Sequence, residues 1–341
     1  MPSALPFGST RLPSMRTRED RVLVVPLLWP AYEIRQILPM HLGYGLVVRD
    51  TSQDINRVDL SLWSRYLPEE DQRTVKGWNV CLEMRYRSNP RFGAKDEQVR
   101  QIMGYVIAHL RVIVPNRTNL GNHLMARVQA GVMQPLSVGK EPTSVLLEDC
   151  EILCAEVTEH HVLILREWMP WILLFQRRWE RFYPLYLSLH LAEMARVERD
   201  SRVRHLLRVM ALEALLSSDR TFGKGALVRR VPKLVGPQID VYSPCRNTLQ
   251  TFPPLLVENV LAHVCDLRNM IAHGTRIPQK WLVENCRPRK DAGLPLCYAE
   301  ELCEAATCIL GMAWRKIING RHQETFADKM QMKKYFDSAH P

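Results

Sequence analysis

The chain has 341 residues, 46% of them hydrophobic and 24% charged, an ordinary globular composition with apolar mass for more than one core. Two domains are expected at this length, and with no run of 18 uninterrupted apolar residues no membrane span is expected. A formal net charge of +10 and a pI of about 9.3 favour polyanionic partners, nucleic acid above all, over acidic proteins or a membrane surface.

The nine cysteines make an odd count without a regular framework. With no apolar leader, they predict reduced thiols and a cytoplasmic location. Cys150/Cys154 and Cys303/Cys308 have no CxxC partner pair. Even beside His160 and His161 they point to buried structural thiols rather than zinc. No metal and no cofactor is expected.

Up to Asp20 the chain is rich in Pro, Ser, Thr and Arg without periodicity, and it reads as a disordered tail carrying Arg11, Arg16 and Arg18. From Arg21 it turns strand-like. RVLVVPLLW is a short buried run that Pro26 demotes to an edge or a bulge. GLVVRD, from Gly45, is a second strand candidate. In NVCLEMRYR, Val80, Leu82, Met84 and Tyr86 alternate with Cys81, Glu83, Arg85 and Arg87, the pattern of a half-buried strand. Arg85 and Arg87 around Tyr86 read as a solvated strand face before a nucleic-acid one. A helix is expected from Asp96 to about Val114. Strand and turn follow over Met125–Val138 and Ser144–Val157. Residues 21–157 thus form an α+β or mostly-β domain. It holds no phosphate loop, dinucleotide fingerprint, zinc-protease helix or nucleophile elbow. It reads as a recognition or sensing domain whose signal the sequence does not name.

Residues 158–182, with Trp168, Trp171 and Phe175, read as a connecting helix that Pro170 should kink or end. From Tyr183 to Asn319 the period is helical, which predicts an all-helical bundle and an α+β chain overall. A first helix ends near Asp200, and Ser201 caps the next, RVRHLLRVMALEALLSS. Within it Glu213 stands in an apolar run. It either edges into solvent or is partly buried and pairs with a cation, for which Arg268 is the natural candidate. The window from Ser201 to Val235 is the densest basic region. It holds Arg202, Arg204, Arg208, Arg220, Lys224, Arg229, Arg230 and Lys233 against Glu213 and Asp219. The last five cations of that set are the RNA-binding candidates, since phosphate binding needs such charge. Pro232 should interrupt the short helix there. Gly236–Thr251 reads as a polar linker. A closing helix begins near Tyr298, and the charged tail over 320–341 should fray.

The organising stretch is LLVENVLAHVCDLRNMIAHG, residues 255–274. Leu256, Val260, Val264, Leu267 and Ile271 form one apolar stripe of helical period. Pro253 and Pro254 suit its start, and Gly274 suits a left-handed stop. At about 100° per residue, Asp266, Asn269 and His273 fall opposite the stripe and Arg268 on the flank.

The hexapeptide Arg268-Asn269-Met270-Ile271-Ala272-His273 resembles the signature of the HEPN superfamily. Together with MALEALLSS upstream, LRNMIAHG is most similar to its ApeA-like branch, linked to bacterial anti-phage and abortive-infection systems. The resemblance covers roughly residues 183–319. It implies an endoribonuclease, the toxic effector of such a defence system. It also implies a homodimer in which two Arg/His sets build one cleft, with Arg268, Asn269 and His273 catalytic; Glu213 and Asp266, from their own positions, are the supporting candidates.

The residue types suit that chemistry. Single-stranded RNA is cleaved without metal when the ribose 2′-OH attacks the adjacent phosphate. This needs a proton acceptor, a proton donor and positive charge for the phosphorane. His273 is the side chain that titrates near neutrality, and Arg268 offers a permanently charged fork for phosphate oxygens. Asn269 is placed to orient the imidazole or the ribose. Two alternatives stand beside this: a non-cutting module that binds nucleic acid or nucleotide, and an unrelated helical interaction domain in which the cations merely complement a helix C-terminus.

Overall fold

The structure is a computed structural model that describes residues 19–50 (except 29), 69, 73, 79–88, 94–139 (except 115, 117 and 131), 156–216 (except 199), 224–236, 239–243, 248–252, 256–275 and 299–338. The N-terminal tail, most of Ser144–Val157, Cys150, Cys154 and Arg220 lie outside these. The chain divides into two compact units. One comprises Met1–Pro26, Leu38–Met103 and Leu120–Lys140; the other comprises Leu27–Ile37, Gly104–Asn119 and Glu141–Pro341.

The first unit is built on a six-stranded antiparallel sheet. Its strands are β1 (Glu19–Pro26), β2 (Met40–Gly43), β3 (Leu46–Asp50), β4 (Val80–Ser88), β5 (His123–Gln129) and β6 (Val132–Gly139). They lie in the order β2-β3-β4-β1-β5-β6. The expected edge strand is therefore central. Pro26 is compatible with that place because it closes β1: it pairs with Cys81 of β4, while pairing to β5 ends at Val24. The expected alternation in β4 holds only at its far end. Cys81 and Glu83 are buried along with Val80, Leu82 and Met84. Cys81 packs with Val22, Val24, Leu124 and Ala126, and since both alternating sets are buried here, neither face of this part of β4 meets solvent. Glu83 is held by Arg49 at 3.2 Å and Arg85 at 2.7 Å. Arg87 pairs with Asp20, and the Tyr86 hydroxyl donates to Asp96 at 2.8 Å.

Helix α1 (Ala94–Ile113) follows β4, and the division between the units falls within it, between Met103 and Gly104. The second unit then adds α2 (Glu159–Arg177), α3 (Tyr183–Val197), α4 (Ser201–Leu216), α5 (Lys224–Val235), α6 (Leu256–Ala272), α7 (Ala299–Asn319), α8 (Gln323–Ala327) and α9 (Lys329–Ser338). Its core is aromatic. Trp168, Trp171, Phe175, Phe182 and Trp314 are buried around His109. Helix α2 is thus a core helix of this unit. It runs unbroken through Pro170, because the hydrogen bond that proline forfeits, to the carbonyl of Arg166, falls on an exposed face that water reaches. His161 takes the Thr158 N–H on its Nδ1 at 3.1 Å and so caps α2.

Three further expectations are corrected. Helix α5 continues through Pro232 to Val235 and stops at Gly236, φ +95°. The Gly236–Thr251 linker holds an antiparallel hairpin, β7 (Ile239–Ser243) with β8 (Thr248–Phe252), so the second unit is mostly but not wholly helical. The tail folds into α8 and α9 instead of fraying, since Phe326, Met332 and Phe336 are buried. The α+β class stands, and no described helix is long and apolar enough to cross a membrane.

Candidate functional site

Helix α6 is fixed by its apolar stripe and by its end. Val260, Leu261, Val264, Cys265 and Leu267 are buried, while Asp266, Arg268 and Asn269 are half-buried and His273 is exposed. Gly274 adopts φ +62°. Its N–H donates to the Ile271 carbonyl at 3.1 Å, and that of Thr275 to the Met270 carbonyl at 2.9 Å. This is a Schellman stop, which puts His273 at the C-cap, where its ring stands clear of the bundle beside the negative end of the helix dipole.

Arg268 is held from two sides. Its Nη2 donates to Glu213 Oε2 at 3.0 Å and its Nη1 to Asn269 Oδ1 at 2.9 Å. Glu213 comes from α4, so the two helices are cross-linked at this point. The Glu213 side chain is 24% exposed and that of Arg268 30% exposed, a pair neither dry nor fully solvated. Burial raises the Glu213 carboxyl above its ordinary range, although the Arg268 charge and hydrogen bond pull it down. The ion pair therefore offsets only part of the desolvation. Each bonded Arg268 nitrogen carries a second hydrogen, so the fork keeps donors for a further oxyanion. Asn269 spends its amide oxygen on Arg268, not on His273.

Two neighbours complete the setting. His205, fully buried on α4, donates from Nε2 to the Val264 carbonyl at 2.9 Å. Cys265 is buried, and burial, reinforced by the Glu213 charge, pushes its thiol up to about 11. It stays protonated and is no nucleophile near neutrality. Like Cys81 and Cys308, it forms no disulfide.

The basic window is less open than its composition suggests. Lys224 Nζ donates to both oxygens of Asp266, at 2.7 and 2.8 Å, which neutralises both residues. Arg230 donates to the Leu216 carbonyl at 2.7 Å and lies 5.3 Å over the Phe336 ring. Lys233 donates to the Phe336 carbonyl at 3.1 Å. Both side chains thereby anchor α9. Arg204 is buried against the Glu198 carbonyl, and Arg208 pairs with Glu304 at 3.1 Å. Arg202 and Arg229 are exposed. Among the described residues no group of three or more His, Cys, Asp or Glu is placed to hold a metal ion.

His205 is the site residue that sequence reasoning missed. The only signal was a histidine in the apolar run that also holds Glu213. No protein-family model, no curated protein and no solved structure matches the chain.

Proposed function

We propose that the chain is a metal-independent endoribonuclease of the HEPN type, the RNA-cleaving effector of a bacterial anti-phage or toxin-like system. One observation carries the reading. A half-buried Arg268, oriented by Glu213 and Asn269, precedes by five residues an exposed His273 at the end of the same helix.

In the proposed reaction, His273 of one protomer takes the proton of a ribose 2′-OH. The 2′-oxygen attacks the adjacent phosphorus, and Arg268 stabilises the charge that gathers on the equatorial oxygens. The P–O5′ bond breaks, and His273 of a second protomer protonates the leaving oxygen. A single imidazole does not conveniently serve as base and acid on opposite sides of one phosphate, which is the argument for a homodimer about the Asn269/His273 face. The products are a 2′,3′-cyclic phosphate and a 5′-OH. Transfer RNA is the substrate to try first.

A second reading has its own support: both bonded nitrogens of Arg268 are already engaged within the chain, as in a non-cutting module that binds nucleic acid or nucleotide. Incubation of the purified protein with a transfer RNA mixture in excess EDTA, with end-group analysis, separates the two. Cleavage leaving cyclic phosphate ends supports the nuclease. Intact RNA that is nevertheless bound supports the second reading.

A further inference from the structure

A cavity of about 100 Å³ lies within the second unit, among the later half of α1, α3, α4 and α7. Its walls are mostly apolar, with Leu189 and Leu310 among them, yet three guanidinium groups line it: Arg111, Arg196 and Arg208. Arg111 pairs with Glu193, and Arg208 pairs with Glu304. Arg196 shares Glu193 only at 3.9 Å, beyond hydrogen-bond reach. Its Nε is buried without a hydrogen-bond partner. Among these residues three cations meet two carboxylates, which leaves one positive charge in excess at Arg196.

A guanidinium against apolar walls, incompletely paired, is costly unless an anion joins it. One excess charge asks for a monoanion. Planar carboxylate suits the fork, whereas a phosphate monoester near neutrality carries about −1.5 to −2. A cavity of roughly 150 Å³ holds the six carbons of benzene, so this one takes a hydrocarbon body of up to about four carbons, with the carboxylate outside it on the partly exposed Arg196. We propose that the cavity binds a small branched or short-chain monocarboxylate, its head on Arg196 and its hydrocarbon against Leu189 and Leu310. The proposal is independent of the RNA-cleavage reading.

The test is calorimetric and thermal titration of the full chain with isovalerate, its neutral alcohol 3-methylbutanol, and inorganic phosphate. Isovalerate should bind saturably with a Kd of about 1 mM, in keeping with a ligand of so few atoms. The alcohol and phosphate should bind at least tenfold more weakly. Arg196→Met should abolish the response. Ala192→Leu, which fills the cavity without touching the charge, should abolish it too. Each variant is checked for an unchanged circular dichroism spectrum, and failure of one to fold leaves the other and the ligand series to decide. No saturable binding of isovalerate, equal binding of the alcohol or phosphate, or undiminished binding in a folded variant overturns the proposal.

Discussion

Nε2 of His205 donates to the backbone carbonyl of Val264 across 2.9 Å, which ties the first half of α4 to α6 one turn before Arg268. A carbonyl only accepts, so this contact fixes the tautomer, and Nδ1 is left buried without a hydrogen-bond partner. Burial lowers His205 to about 4, and it lowers His109, whose Nδ1 donates to the Tyr105 carbonyl, to about 4 as well.

Both histidines fold neutral and unfold to a group that titrates near 6.5. Their stabilisation is fully present above that value and is lost as pH falls through about 4. A shift of this size corresponds to about 3 kcal/mol for each. Urea unfolding should therefore weaken steeply between neutral and mildly acid solution. His205→Gln, which keeps a donor for Val264 and cannot titrate, should remove roughly half of the histidine contribution. A variant as acid-sensitive as the wild type would refute the assignment.

Arg268 and Glu213 should be energetically coupled. Across a double-mutant cycle with Arg268→Met and Glu213→Gln, a half-exposed pair of this kind is worth about 1 kcal/mol. Arg268→Met also removes what pulls the Glu213 carboxyl down, so its titration, followed by carboxyl carbon NMR, should move further up. An acid raised on folding gives its stabilisation below its unfolded value and loses it as pH rises through the folded one. The Arg268→Met variant should thus lose more stability at neutral than at acid pH. An unmoved Glu213 titration would show that the pair does not hold the guanidinium in solution.

Phe336 closes the bundle at the chain's end. It is buried, lies under Arg230, and its carbonyl receives Lys233. Phe336→Ala should cost about 3–4 kcal/mol in urea unfolding. An unfolding midpoint equal to the wild type's would mean that α9 detaches freely.

If the basic window binds RNA as proposed, its cations should contribute unevenly. Arg229 is exposed, whereas Lys224 is neutralised by Asp266. Arg229→Ala should weaken RNA binding and reduce the slope of affinity against salt by about 1. Lys224→Ala should change that slope less. Filter binding across a salt series reads both, and a larger effect at Lys224 would contradict the order.

The parts of this site that the sequence made legible are local ones. The stripe on α6, the left-handed Gly274 and the misfit of Glu213 in an apolar run are set by residues within a few turns, and helical geometry propagates them. What escaped depends on distant partners. Arg208 reads as one more surface cation until Glu304, 96 positions away, meets it. His205 reads as helix filler until the Val264 carbonyl arrives. Pro26 demoted β1 by a rule about interior prolines, yet at the last residue of a strand the missing N–H goes unmissed. The β7/β8 hairpin was hidden because two five-residue strands leave too short an alternation to stand out from a polar linker.

The central claim is that Arg268 and His273 carry metal-independent RNA cleavage. Its most direct test measures cleavage rates in excess EDTA for the wild type, Arg268→Ala and His273→Ala. The wild type should cut, leaving 2′,3′-cyclic phosphate ends. Arg268→Ala should lose on the order of a hundredfold in rate, about 3 kcal/mol of transition-state stabilisation, with at least as much lost in His273→Ala. A wild type that cuts only with Mg²⁺, or a His273→Ala protein that cuts at the wild-type rate, would contradict the mechanism and leave these residues a structural role at a helix end.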